Sequence, residues 1–173
     1  MTQTLLLHSS RSLLLGCCLL LAALFGSSAV LADEAADREA IHAVLWRYTR
    51  ALDTFNPEAY AAVFTEDGEF LSGNTGAKGK QALMDMVAGV KKGREDRAAK
   101  GEAVPPMYHM TMDSWIEFID ATHARHHSYW QTVFGAAGPG TSPTVAAAGR
   151  GVDDLVKVGE QWFIKTRNVA PQD

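Results

Sequence analysis

MYHMTMDSWIEFI, residues 107–119, follows Pro105-Pro106 and ends at the turn Asp120-Ala121-Thr122-His123. Its side chains alternate instead of recurring at helical spacing, which reads as a long strand. Alternation puts His109, Thr111, Asp113 and Trp115 on one face, a mixed polar and aromatic surface suited to a pocket wall. The other face, Met110, Met112, Ile116 and Phe118, is apolar enough to pack. Ala124 to Phe134 returns as a second strand, and Gly135 to Thr144 is a Gly/Pro loop. Val145 to Val158 and Gln161 to Val169 form a last pair around Gly159.

Upstream of residue 107 the period is helical. Ile41, Val44, Leu45, Tyr48 and Leu52 recur at helical spacing in a segment running from Asp33 to Leu52. Asn56-Pro57-Glu58 starts a second helix, with Asn as cap and Pro in the first turn, and Tyr60, Val63 and Phe64 as its apolar face. Asp67-Gly68 turns into a short strand, Glu69-Phe70-Leu71, and Gly73 to Gly76 reads as a loop. A third helix is expected from about Lys80 to Arg94, with the charged run Lys91 to Arg97 as its solvated end and a loop from Arg94 to Pro106 over the pocket. Three helices ahead of long, mostly antiparallel strands make an α+β arrangement. Helices folded over one face of a curved sheet leave a pocket between the layers.

Residues 1–32 read as a targeting segment. Arg11 is the one Lys, Arg, Asp or Glu before Asp33, the apolar run Leu13 to Phe25 comes next, and Val30 and Ala32 stand where a signal peptidase reads. The expected mature chain therefore starts at Asp33 and is periplasmic or secreted. Two other readings stay open: a lipobox at Leu14-Leu15-Gly16-Cys17, which would lipidate Cys17, and an uncleaved amino-terminal anchor. Cleavage leaves residues 33–173, enough for one domain with its own core. It also removes Cys17 and Cys18, and with them any disulfide or thiol chemistry. Fifteen basic side chains then face twenty acidic ones, a net charge of −5 with no basic stripe. That argues against nucleic acid as a partner and against stable association with an anionic membrane surface.

LWRYTRALDT, residues 45–54, resembles the first helix of the SnoaL-like group in the NTF2-like superfamily. Ala62 to Gly68 is similar to the group's next segment, Gly76 to Leu83 to the glycines before its third helix, and Gly159 to Arg167 to its closing strand. His109 with Asp113 after it is similar to a strand where the group has His and usually Asn. The resemblance covers essentially all of residues 33–173. It implies an NTF2-like cone, three amino-terminal helices over a curved, mostly antiparallel sheet, and it implies a homodimer. The superfamily includes dehydratases, dehydrochlorinases, isomerases, cyclases and proteins without known catalysis, so fold alone leaves function open.

In the dehydratases and dehydrochlorinases of the group, an aspartate at the position matching Asp53 partners a histidine at the position matching His109. Histidine titrates near neutral pH unaided, so it can take a proton from carbon or pass one to a leaving group. A carboxylate on its other nitrogen fixes the tautomer. Asp53 also lies near a helix carboxyl end, where negative charge is disfavoured, as befits a residue kept for a partner. The plainer readings are that Asp53 opens the turn to Asn56-Pro57 and that His109 is a satisfied sheet histidine. Tyr48 stands five residues before Asp53, as a catalytic tyrosine does in bile-acid dehydratase-like members. Five residues turn about 140° around a helix, and Tyr48 reads equally well as part of the apolar stripe.

Trp46, Phe64, Trp115, His127, Tyr129 and Arg167 are the candidate substrate-binding residues. Phe55, Tyr60, Trp130 and Trp162 add aromatic area that either lines the cavity or packs. Arg167 and Lys165 share a face by alternation, where a solvated edge is the ordinary reading and an anion site the other. His123, His126 and His127 suggest a metal, but neighbouring strand residues point to opposite faces and no spaced carboxylate completes a set, so no metal is expected. No nucleotide or flavin motif is present, and no cofactor is expected. Two functional readings result. One is a cofactor-independent lyase or isomerase acting on a small hydrophobic or aromatic molecule. The other is a periplasmic ligand-binding or interaction domain without turnover.

Overall fold

The computed structural model describes residues 33–172. The targeting segment, 1–32, and both cysteines lie outside the described residues. The described residues divide at Glu39/Ala40 into two compact units, 33–39 and 40–172. Of the first unit, 33–39 opens helix α1 (residues 33–53), where Arg38 and Glu34 pair one turn apart at 2.9 Å. The core and the cavities belong to the second.

Along α1, Ile41, Val44, Tyr48 and Ala51 are buried, a stripe at the helical period. The helix ends in two backbone hydrogen bonds, Phe55 to Leu52 and Asn56 to Ala51, with Phe55 at φ +53°. That is a Schellman close with a bulky residue where glycine is usual, a strained position next to Asp53. Asn56 caps α2 (Pro57–Ala62) by accepting from the Ala59 amide at 2.9 Å. β1 (Phe64–Ser72) and β2 (Thr75–Lys78) form a hairpin ahead of α3 (Lys80–Ala99). Four long strands come after it: β3 (Met107–Asp120), β4 (His123–Phe134), β5 (Thr144–Val158) and β6 (Gln161–Asn168). They complete one open six-stranded sheet in the order β2-β1-β6-β5-β4-β3, antiparallel except where β1 meets β6. The α+β class and the helices-on-sheet arrangement are as the sequence implies.

Phe64, expected on the second helix, opens β1, which runs through the expected turn at Asp67-Gly68. Three further details differ. Thr75–Lys78 is a strand, although the expected loop spans part of it. The charged run after Lys91 continues α3 through Ala99, so only residues 100–106 connect to β3. Arg94 donates to the Pro105 carbonyl and stacks over Phe55 at 4.6 Å, and Arg97 pairs with Glu102, tying that connection to the helix.

The third difference decides which side chains meet. In β3 the pairs Met112–Tyr129 and Trp115–His127 are three residues apart on β3 but two apart on β4. This is a bulge, and Asp113 occupies it at φ +46°, a conformation that Asp tolerates better than most residues. The inward face therefore passes from His109 and Thr111 to Ile116 and Phe118. Trp115 turns to the opposite face, which corrects the expectation that it shares a face with His109. In β6 the same thing happens: Leu155 pairs with Ile164 and Asp154 with Thr166, adjacent residues of β5 against residues two apart on β6. The irregularity falls at Lys165 and separates it from Arg167. Arg167 is buried, whereas Lys165 is half-exposed and paired with Asp67 on a strand inside the sheet, so the solvated reading holds for Lys165 alone.

Candidate active site

Asp53 is the last residue of α1, and its carboxylate reaches the start of β3. Oδ1 accepts from the His109 backbone amide at 3.0 Å and lies 2.7 Å from the ring Nδ1. The Asp53 side chain is 8% exposed and that of His109 22%. An ionised carboxylate only accepts, so Nδ1 donates to it, and in the neutral ring Nε2 keeps its lone pair. The backbone bond fixes where the ring starts, and the side-chain bond fixes which way it faces. Together they present one basic nitrogen in one orientation, which is what a general base requires.

His109 lines a cavity of about 220 Å³ with Tyr48, Thr49 and Leu52 of α1, Phe70 and Ser72 of β1, Thr111 of β3, Trp130 and Thr132 of β4, Ala147 of β5, and Arg167 and Val169. Trp130 is held in place: its indole N–H lies 3.0 Å from the carbonyls of both Arg150 and Val169. Gly149 stands beneath the ring, where a Cβ would come within 2.8 Å of it. The glycine lets an indole lie flat against the strand and form part of the wall.

Behind the cavity, three ionisable residues lie side by side on three strands. His126 pairs with Asp153 across β4 and β5, and Asp153 with Arg167 across β5 and β6. All are inward and buried: His126 is 1% exposed, Asp153 0% and Arg167 5%. Oδ2 of Asp153 receives both Nδ1 of His126 at 2.9 Å and Nη1 of Arg167 at 2.5 Å. The Arg167 guanidinium lies over the Tyr48 ring, 4.2 Å from its centroid. Burial works against the Arg167 charge, but Asp153 first, then Tyr48 and Tyr60, outweigh it and hold its pKa above the ordinary guanidinium value. Burial, and then Tyr48 beside it, pushes the Tyr60 phenol well above its usual range, so Tyr60 stays neutral.

Of the candidate catalytic and substrate-binding residues, His109, Tyr48 and Arg167 line this cavity, and Asp53 meets it through His109. The others lie elsewhere. Phe64 is fully buried with Tyr48 and Tyr60, ring centroids 5.3 Å from Tyr60 and 6.1 Å from Tyr48. His127 stacks on Trp115 at 5.3 Å, and Trp115 and Tyr129 are 59% and 53% exposed on the outer face of the sheet. Trp46 borders a larger groove of about 500 Å³ with Arg47, Arg50, Thr54, Gln161 and Trp162. That groove is wider, and neither member of the dyad lines it. His109 borders the smaller cavity instead. Among the described residues, no three His, Cys, Asp or Glu side chains converge as metal ligands would.

Sequence reasoning misses Asp153 as a site residue, leaves Trp130 undecided between wall and packing, and takes His126 only as a metal candidate. Asp153 falls in phase with Leu155 on a strand whose other inward residues are small or apolar. His126 falls in phase with Ala124, Ser128 and Trp130. A charged residue in phase with a core position is a usable signal.

A model of the SnoaL-like domain matches residues 33–168. Among solved structures, a function-unknown protein from Mycobacterium tuberculosis is 25% identical, with TM-score 0.65, covering 82% of this chain and 75% of that one. A scytalone dehydratase-like protein from Novosphingobium aromaticivorans is 26% identical, with TM-score 0.61 and coverage of 79% and 84%. A LinA-type hexachlorocyclohexane dehydrochlorinase from Novosphingobium barchaimii, 17% identical with TM-score 0.61 and coverage of 79% and 86%, shares the fold. No curated protein matches. The bulged sheet under three helices and the match over nearly all the described residues agree: the chain belongs to the SnoaL-like domain family and has the NTF2-like fold.

Proposed function

We propose that the protein is a cofactor-independent lyase or isomerase that moves a proton in a small, largely apolar molecule. The observation that carries this reading is the double contact of Asp53 Oδ1 with the amide and ring of His109 at the wall of a cavity. His109 Nε2 takes a proton from substrate carbon, Asp53 stabilises the imidazolium that results, and Tyr48 and Arg167 face the developing negative charge. The scytalone dehydratase-like relative supports lyase chemistry on this fold. A volume near 220 Å³ and walls of Trp130, Phe70, Leu52 and Val169 suit a single ring or a short branched chain.

The test is mutational, on a substrate found by screening small aromatic and alicyclic alcohols and halides for elimination. His109→Ala and Asp53→Asn are each expected to abolish turnover while the melting temperature stays within a few degrees. The double variant is expected to be no worse than either single one, because a dyad acts as a unit. Turnover retained by both single variants would overturn the reading. If a neutral ligand binds with an affinity indifferent to both substitutions and nothing is turned over, the domain is a binding module.

The same proposal includes export and self-association. Amino-terminal sequencing of secreted or periplasmic material should begin at Asp33, and a lipid on Cys17 or a retained leader would contradict it. Tyr108, Met112, Trp115, Tyr129 and Val145 are exposed on the sheet, an apolar patch that a second copy would cover. Trp115→Glu is expected to shift sedimentation from dimer to monomer, and a wild type that is monomeric at micromolar concentration would refute the dimer. Among the described residues no helix is long and apolar enough to cross a membrane.

A further inference from the structure

The row His126–Asp153–Arg167 leaves hydrogen-bonding capacity unused. Asp153 Oδ1 and Arg167 Nε have no partner among the described residues, although both atoms are buried. Asp153 meets Arg167 through one oxygen and one nitrogen only, and that oxygen is shared with His126. A carboxylate divided between two donors compensates neither completely, and the guanidinium has five N–H groups to place. Among the described residues, Arg167 is also the one Lys or Arg lining the cavity. It borders the same cavity as His109, with the apolar surfaces of Phe70, Trp130 and Val169 among the other walls. Such a guanidinium selects for an oxyanion, because a planar fork matches a carboxylate and the low dielectric strengthens the pairing.

We infer that the ligand of this cavity is a small carboxylate, its anionic group on Arg167 and its apolar body against Trp130 and Phe70, with Asp153 as an internal competitor for the same guanidinium. This rests on the reading of the cavity as the ligand site, and it adds the chemical class. Asp153 and His126 are then positioning residues: they touch no ligand, but they set how far Arg167 is already neutralised. A ligand carboxylate must share the guanidinium with Asp153. Removing the Asp153 carboxylate should therefore strengthen anion binding, whereas a purely structural Asp153 would weaken it when replaced.

Calorimetric titration of the protein with benzoate and with its neutral counterpart benzamide tests this. The wild type is expected to prefer benzoate by roughly tenfold, about 1.4 kcal/mol. Arg167→Gln should bind the two alike, and Asp153→Asn, which keeps the guanidinium, should bind benzoate more tightly than the wild type does. Equal affinity of the wild type for both probes, binding of neither at millimolar concentration, or weaker benzoate binding by Asp153→Asn at a temperature where its melting curve shows it folded would overturn the inference. Because the two variants remove opposite charges, a general loss of folding cannot imitate the expected pair of results. The outcome is separable from the acid–base reading. That reading fails if His109→Ala and Asp53→Asn keep turnover, whatever the benzoate preference, and this one fails on equal probe affinities even if the dyad is essential.

Discussion

Replacing Asp153 by Asn removes one charge from a buried row and almost nothing from its shape. The carboxylate is 0% exposed and its partner Arg167 is 5% exposed, so solvent cannot take over the role. Oδ2 holds two donors, and an amide oxygen can keep one of them while leaving the guanidinium without a counter-charge. Breaking a buried pair from one side costs about 3–5 kcal/mol. At about 4 °C per kcal/mol for a domain of this size, the melting temperature should fall by roughly 12–20 °C. Urea unfolding is the better measurement, since a lower midpoint with an unchanged slope isolates stability from changes in the unfolded chain. The double variant Asp153→Leu/Arg167→Met removes both charges and should cost less than the sum of its single substitutions by about 2 kcal/mol or more. Additive costs, or a loss below about 1 kcal/mol for Asp153→Asn, would mean that the row is not an electrostatic unit.

Two further predictions concern the cavity wall and the β3–β4 turn. Gly149→Ala places a Cβ about 2.8 Å from the Trp130 ring. It should cost about 1–3 kcal/mol and shift tryptophan fluorescence as the indole leaves the strand, and an unchanged spectrum with unchanged stability would show that the wall is soft. In the turn, the Thr122 amide first, then His123 and the Thr122 hydroxyl, hold Asp120 down to about 2 from the usual 3.8. A depressed carboxylate contributes stability above its unfolded pKa and loses it as pH falls through the folded one. Hydrogen exchange at the Thr122 amide should therefore be slow above about pH 4 and speed up toward pH 2, beyond the intrinsic pH trend. Asp120→Asn should remove that dependence, and a profile identical in the variant would contradict the assignment.

The class of the fold is legible because the period is mostly helical before Met107 and alternates after it. Asp53 and His109 are legible as types: an acid at a helix end and a histidine among alternating residues. The faces that side chains take past residue 112 of β3 and past Ile164 of β6 are not legible. Alternation counts parity, and each bulge shifts parity by one, so parity alone puts Trp115 inward and groups Arg167 with Lys165. The clue at the first bulge is Asp113 itself, an αL-tolerant residue in the middle of a strand. The second bulge carries no such marker. Against the expectation of a loop from Arg94, the length of α3 is legible. Arg94 to Ala99 is rich in good helix formers, and the signal that ends the helix is Gly101, at φ +77°, two residues after Ala99. β2 is hidden by Gly76, whose lack of a side chain lets it lie against the Phe70 carbonyl.

The tautomer of His109 tests the dyad most directly, and it needs no substrate. Two-dimensional NMR of the protein labelled with ¹⁵N-histidine reports which ring nitrogen carries the proton. A protonated, hydrogen-bonded Nδ1 and a bare Nε2 are expected in the neutral ring, with Asp53→Asn weakening or abolishing the Nδ1 proton signal. A ring protonated on Nε2 in the wild type, or a spectrum that Asp53→Asn leaves unchanged, would contradict the dyad.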